Sequence, residues 1–153
     1  MFNFKTKTMK TLATFSILIF TVFYSGCDET KKVIDVAGSV QLTGSYTVSA
    51  LNGKKLVSTT NPTFTMSAID NSFRGTTGCN SVFGNYTIDL YAINFGDLAV
   101  SEKYCSEKEI MKTERDFLNA LNNTGSYAIE NGLLTFYSKT DRSVLLIAKK
   151  DEK

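Results

Sequence analysis

Gly75-Thr76-Thr77-Gly78-Cys79-Asn80 is the most unusual string in the sequence, and two readings fit it. Two glycines three apart among Thr hydroxyls can turn successive backbone amides toward one point and make a nest for an anion. The same residues also make a sharp turn between strands, with Asn80 bonding to backbone. A phosphate-binding P-loop is excluded, because no Gly-Lys-Ser/Thr leads into a helix. Cys79 is a poor nucleophile. The chain has no His to take its proton, and no basic cluster flanks it to favour the thiolate. The lack of His also removes Ser-His-Asp and Cys-His catalysis, His-ligated metals and His-based pH switching. Glu107, Glu109, Glu114 and Asp116 share one segment with Lys108, Lys112 and Arg115. That interleaving describes a solvated helix face rather than paired catalytic acids. Calcium-loop spacing is absent. The residues therefore point to no catalytic group, no metal and no cofactor, and the expectation is a protein that is not an enzyme.

A different chemistry is suggested at Cys27. Lys5, Lys7 and Lys10 make a basic start, and Leu12 to Tyr24 is a largely apolar run. The run is short for a membrane-spanning helix, which needs about 20 residues. Ser25-Gly26-Cys27 follows it, and the whole resembles a bacterial lipoprotein signal. In that reading residues 1–26 are removed and the Cys27 thiol carries a diacylglycerol. An ordinary cleaved signal, with Cys27 as a chance thiol, is the alternative. Met9-Lys10-Thr11 offers a second start. Loss of residues 1–26 removes three of the 17 basic side chains and none of the 15 acidic ones, so the charge falls from +2 to −1. No block of like charges then remains to recruit nucleic acid. Cys79 and Cys105 are left as a pair 26 residues apart. They are either a disulfide, worth roughly 3–4 kcal/mol by loop-closure entropy, or two buried thiols acting as small hydrophobes.

The elements that must position these residues are mostly strands. Residues 27–41 have mixed charge and no period, and read as the lipidated Cys and a flexible tether. From Leu42 the period is two, with Tyr46, Val48 and Ala50 on one face. Asn52-Gly53 suits a type I′ hairpin turn, with Lys54 to Val57 returning. Phe64, Met66 and Ala68 give a second strand; Phe73 starts a third; Phe83, Tyr86 and Ile88 continue, followed by Tyr91 to Phe95 and Leu98 to Val100. Ser106 to Glu109 reads as a capping box for one helix, with Ile110, Phe117, Leu118 and Leu121 on its apolar face. Asn131-Gly132 joins two more strands, and Val144 to Ala148, apolar on both faces, reads as a central strand. Residues 150–153 read as a frayed tail. The 18 Phe and Tyr side chains fill a core, or line a barrel mouth that takes an apolar ligand. The fold class is mainly β: a small curved antiparallel sheet or partial barrel with one α-helix.

Residues 42–149 resemble the META domain, the family of HslJ-like bacterial lipoproteins. The resemblance rests on Gly75, Gly78, Cys79, Asn80, Gly84 and Tyr86, on Cys105, on the helix residues Glu114, Phe117, Leu118 and Leu121, and on Tyr127 and Leu133 to Phe136. The chain departs from the family at Tyr46, where Trp is usual, and at Ser101 to Cys105, where Thr-x-Met-Ala-Cys is usual. The resemblance implies a small, mostly β fold in the cell envelope, with links to heat induction, antibiotic tolerance or virulence. It supplies no catalytic residue. The combined expectation is a membrane-anchored envelope lipoprotein, in the outer membrane rather than the inner, that binds an envelope protein. The alternative is a carrier of a lipid or small apolar ligand.

Overall fold

The computed structural model describes residues 40–57 and 60–152. Cys27, the signal and most of the tether lie outside the described residues. The elements run β1 (Gly44–Leu51), β2 (Lys54–Lys55), β3 (Thr63–Ser67), β4 (Ser72–Thr76), β5 (Ser81–Asp89), β6 (Ala92–Phe95), β7 (Ala99–Val100), α1 (Lys108–Asn123), β8 (Thr124–Glu130), β9 (Leu133–Ser138) and β10 (Val144–Lys150).

Among the described residues, eight strands pair antiparallel in the order β1-β3-β4-β5-β6-β8-β9-β10, and β10 pairs back onto β1. The barrel is closed, where the sequence suggested a partial one. Closure comes from the Val144–Ala148 run: Leu146 faces Phe136 of β9 and Leu51 of β1, and Ala148 faces Leu134 and Val48. Irregular registers between Val48 and Ala50 and between Val144 and Leu146 supply the bend. A closed barrel leaves no unpaired sheet edge. The short β2 and β7 sit outside the ring, on β1 and β5.

The alternation of side chains sets the interior. Tyr46, Val48, Phe64, Met66, Phe73, Val82, Tyr86, Ile93, Leu134, Phe136, Leu146 and Ala148 are all nearly fully buried. Eight strands enclose a space about wide enough for side chains to fill, and aromatic rings fill it. Phe64 lies 5.2 Å from both Tyr46 and Phe73 and 6.2 Å from Phe136, centroid to centroid. Phe95 meets Phe73 and Phe136 edge-on, at 5.1 and 5.4 Å. Phe117 of α1 reaches the same cluster, 6.3 Å from Phe64. The helix touches β1, β6, β9 and β10, so it lies across one mouth of the barrel.

Several sequence expectations are corrected. The strand begins at Gly44, since residues 40–42 are helical and Leu42 is buried. Phe83 faces out, at 56% exposure, because Val82 and Tyr86 set the inward parity of β5. Ser106 does not cap α1. The cap position is Glu107, one residue later, in extended backbone and with no side-chain bond. Residues 150 and 151 are fastened rather than frayed. Lys150 donates its amide to Gly132 and Asp151 to Ser45, and the Thr47 hydroxyl donates to the Asp151 carboxylate at 2.9 Å.

Burial has a measurable consequence for two tyrosines. The Tyr46 hydroxyl donates to the Leu42 carbonyl at 3.0 Å and the Tyr86 hydroxyl to that of Ser67 at 3.0 Å. Burial, with Tyr86 nearby adding charge repulsion, pushes Tyr46 up to about 12. Burial, then Asp70 and Tyr127, does the same for Tyr86. A folded-state value above the unfolded one means that the neutral hydroxyls contribute fully below pH 10, and that this contribution is lost as pH rises to 12. A tyrosinate absorbance titration should therefore show two late-ionising residues whose titration coincides with loss of near-UV circular dichroism. Ionisation of every tyrosine in one step near pH 10, with the fold intact, would contradict this.

Candidate functional site

The Gly75–Asn80 string is the connection between β4 and β5, under the mouth that α1 crosses. Gly75 lies where a Cβ would run into the Thr63 carbonyl and the Phe64 side chain. Gly78 takes φ +95°, and a Cβ there would sit 2.6 Å from the Thr60 carbonyl oxygen. Both positions need glycine so that two backbones can approach.

Thr77 and Asn80 close the turn on each other. The Thr77 amide donates to the Asn80 carbonyl at 2.8 Å, and the Asn80 amide donates to Thr77 Oγ1 at 2.9 Å. The Gly78 amide goes to Thr76 Oγ1 and the Cys79 amide to Thr77 Oγ1. An anion nest would need those amides free. Here Thr hydroxyls and the Asn80 carbonyl occupy them, and the turn reading describes the loop.

The loop then reaches the helix. Asn80 is 2% exposed, and its amide nitrogen donates to both oxygens of Glu114, at 3.1 and 2.9 Å, and to the Lys103 carbonyl at 3.3 Å. Its Oδ1 accepts from Ser101 Oγ at 2.9 Å and from the Lys103 amide at 2.8 Å. Thr77 Oγ1 donates to Glu114 Oε2. Glu114 is 8% exposed. A carboxylate taken out of water must be hydrogen-bonded, and here both oxygens are served.

Glu114 therefore does not belong to the solvated face to which the sequence assigned it. That assignment holds for Lys112 and Asp116, an exposed i, i+4 pair at 2.8 Å. Asp116, by hydrogen bond and by charge, holds the Lys112 ammonium above its ordinary range. The signal for Glu114 was available: Ile110, Glu114, Phe117 and Leu121 follow a 4-3-4 spacing, so one carboxylate stands in the apolar stripe. Thr77, Ser101 and the Lys103 backbone, which complete the network, carry no such signal.

Cys79 and Cys105 lie beside this network, with Cα atoms 6.3 Å apart and their sulfurs in bonding contact. The structure thus brings together Gly75, Gly78, Cys79, Asn80 and Cys105, while Cys27 lies outside the described residues. Among the described residues, no group of three or more His, Cys, Asp or Glu could hold a metal ion. A shallow groove of about 500 Å³ runs over the outer wall, lined by Asp70, Ser72, Arg74, Ser81, Phe83 and Asn85 among others.

These observations define a class: a closed antiparallel barrel whose mouth is crossed by a helix latched through a Gly-Cys-Asn turn. Residues 40–151 match the META domain model, well over half the chain, and the protein belongs to the META domain family. No curated protein sequence matches it. Three solved chains match in fold, among them the following two. A protein from Burkholderia xenovorans, solved by NMR, has TM-score 0.59 at 20% identity, covering 77% of this chain and 89% of its own. A DUF4847 family protein from Bacteroides vulgatus ATCC 8482, a crystal structure, has TM-score 0.55 at 14% identity, covering 76% of this chain and 99% of its own. At these identities the likeness is one of fold.

Removing the Asn80 side chain deletes its bonds to Glu114, Lys103 and Ser101 and leaves Glu114 short of donors. Asn80→Ala should cost about 3 kcal/mol, read as a lower urea midpoint at unchanged slope. A loss below about 0.5 kcal/mol would show that the network is dispensable.

Proposed function

We propose that the protein is a non-enzymatic lipoprotein of the cell envelope, in the outer membrane rather than the inner. Cys27 holds it to the membrane, and the META barrel acts by binding an envelope partner in a stress response such as heat or antibiotic tolerance. One observation carries the binding part. The barrel interior is filled by contacting rings of Tyr46, Phe64, Phe73, Phe95, Phe117 and Phe136, so recognition falls to the outer surface. The same packing leaves the carrier reading, in which the barrel holds a lipid or small apolar ligand, with no observation in its favour. The polar cluster supports a structural role, since Thr77, Asn80 and Glu114 direct their bonds at one another and at backbone. The anchor is supported by the basic start, the apolar run and the Ser25-Gly26-Cys27 junction. A diacylglycerol plus an N-acyl chain supplies the two or more chains that lasting attachment requires.

An envelope location also fits Cys79 and Cys105 as an oxidised pair. Their Cα separation of 6.3 Å lies within the span of a disulfide and supports that state.

Fractionation tests the anchor. Wild-type protein should sediment with membranes, and Cys27→Ala protein should be recovered in the soluble fraction. Retention of the variant after a high-salt wash would contradict the proposal. Alkylation of the denatured, unreduced protein should label neither Cys79 nor Cys105. Labelling of both would leave two reduced thiols.

A further inference from the structure

The antiparallel order fixes which connections share an end of the barrel. The 68–71 turn between β3 and β4, the 90–91 turn between β5 and β6 and the 131–132 turn between β8 and β9 all lie at the end where β1 begins and β10 finishes. Each carries or adjoins a large exposed apolar side chain: Ile69 at 99% exposure, Leu90 at 41% and Tyr91 at 75%, and Leu133 at 43%. Val40, where the described chain enters this end, is 61% exposed. Single exposed apolar residues are ordinary, but one on every connection of a single end concentrates apolar surface there. The opposite end exposes Val57, Tyr104 and Val144, and α1 covers its mouth.

The β5–β6 turn strengthens the case. Asn52, Asn71 and Asn131 occupy the left-handed region in their turns, as Asn tolerates well. Leu90 takes the same conformation at φ +58°. A branched apolar residue is poorly suited to that place, so the Leu90-Tyr91 tip sacrifices local preference for apolar surface.

We infer that this end of the barrel docks on the surface of the membrane that holds the lipid anchor, with Ile69, Leu90, Tyr91 and Leu133 entering the headgroup layer. The inference rests on the proposed lipidation of Cys27. Val40 lies thirteen residues beyond Cys27, a reach of about 45 Å when fully extended. The tether therefore joins the barrel at the apolar end and keeps that end within range of the bilayer. Tyr is suited to such an interface, with an apolar ring and a polar tip. The charges select the kind of surface. Asp70, Asp89, Glu130, Asp151 and Glu152 outnumber Arg74, Lys149 and Lys150 among the described residues at or near this end. Anionic lipid would repel them, so the surface is zwitterionic.

The chain contains no Trp, so a single introduced indole is an unambiguous reporter. Lipidated full-length Tyr91→Trp protein is reconstituted in phosphatidylethanolamine and phosphatidylcholine vesicles containing acyl-brominated lipid. The indole of this variant should lose roughly half its fluorescence through contact at the headgroup–acyl boundary. Tyr104→Trp protein, with its reporter at the opposite end, should lose almost none. Ile69→Trp repeats the test at a second tip should the Tyr91 variant fold poorly. Vesicle-bound protein in which the Tyr91→Trp and Ile69→Trp reporters are both unquenched overturns the docking while leaving the anchor intact. Equal quenching of the Tyr104→Trp reporter does the same. Protein that does not float with vesicles at all overturns the anchor and the docking together. Quenching of the Tyr91→Trp reporter that grows as phosphatidylglycerol replaces phosphatidylethanolamine overturns the zwitterionic assignment.

Discussion

A carboxylate withdrawn from water governs the arrangement of this barrel. Glu114 is almost fully buried, and Asn80 and Thr77 supply its donors. Those donors can be in place only if the 77–80 turn is tight, which Gly75 and Gly78 permit by letting backbones meet. They also require α1 to sit over the mouth, which places Phe117 on Phe64. Asn80 bonds the Lys103 backbone as well, so the segment leading into the helix is fixed by the same side chain. One polar contact thus joins the β4–β5 turn, the approach to the helix and the helix itself. Leaving such a carboxylate half-served would cost more than the net worth of the bonds, which is why the cluster is all-or-none.

The second constraint is volume. Eight strands enclose a space that must be filled, and this chain fills it with closely spaced aromatic rings. A filled barrel is a rigid support, and its variable chemistry lies on turns, edges and the outer wall. The two ends differ accordingly. One is covered by a latched helix, and the other presents turns with apolar tips.

Much of the fold was legible in the sequence. Asn52-Gly53 and Asn131-Gly132 both form turns with positive φ, the second marking the β8–β9 hairpin, and alternation located β1 and β3. Two-sided apolarity identified Val144–Ala148 as an internal strand, but closure was not legible, because pairing of β10 with β1 spans nearly the whole described chain. Phe83 misled because hydrophobicity was read without parity. Ser106 to Glu109 has the letters of a capping box, but the helix starts after Glu107 and letters alone do not fix where the backbone turns helical. In the site, Gly75, Gly78, Cys79, Asn80 and Cys105 stood out by type and spacing. Glu114 was read with its charged neighbours as part of a solvated face, although the family resemblance and its place in the apolar stripe both marked it. Thr77 and Ser101 are common residues whose roles exist only once the turn and the helix approach meet.

The central claim is that Asn80 and Glu114 act as one unit. A double-mutant cycle in urea denaturation, combining Asn80→Ala and Glu114→Ala, isolates their interaction. The account predicts a coupling of about 1–3 kcal/mol, with the double variant far less damaged than the sum of the two single ones. Additive losses, with coupling below about 0.5 kcal/mol, would contradict it and reduce the latch to two unrelated buried side chains.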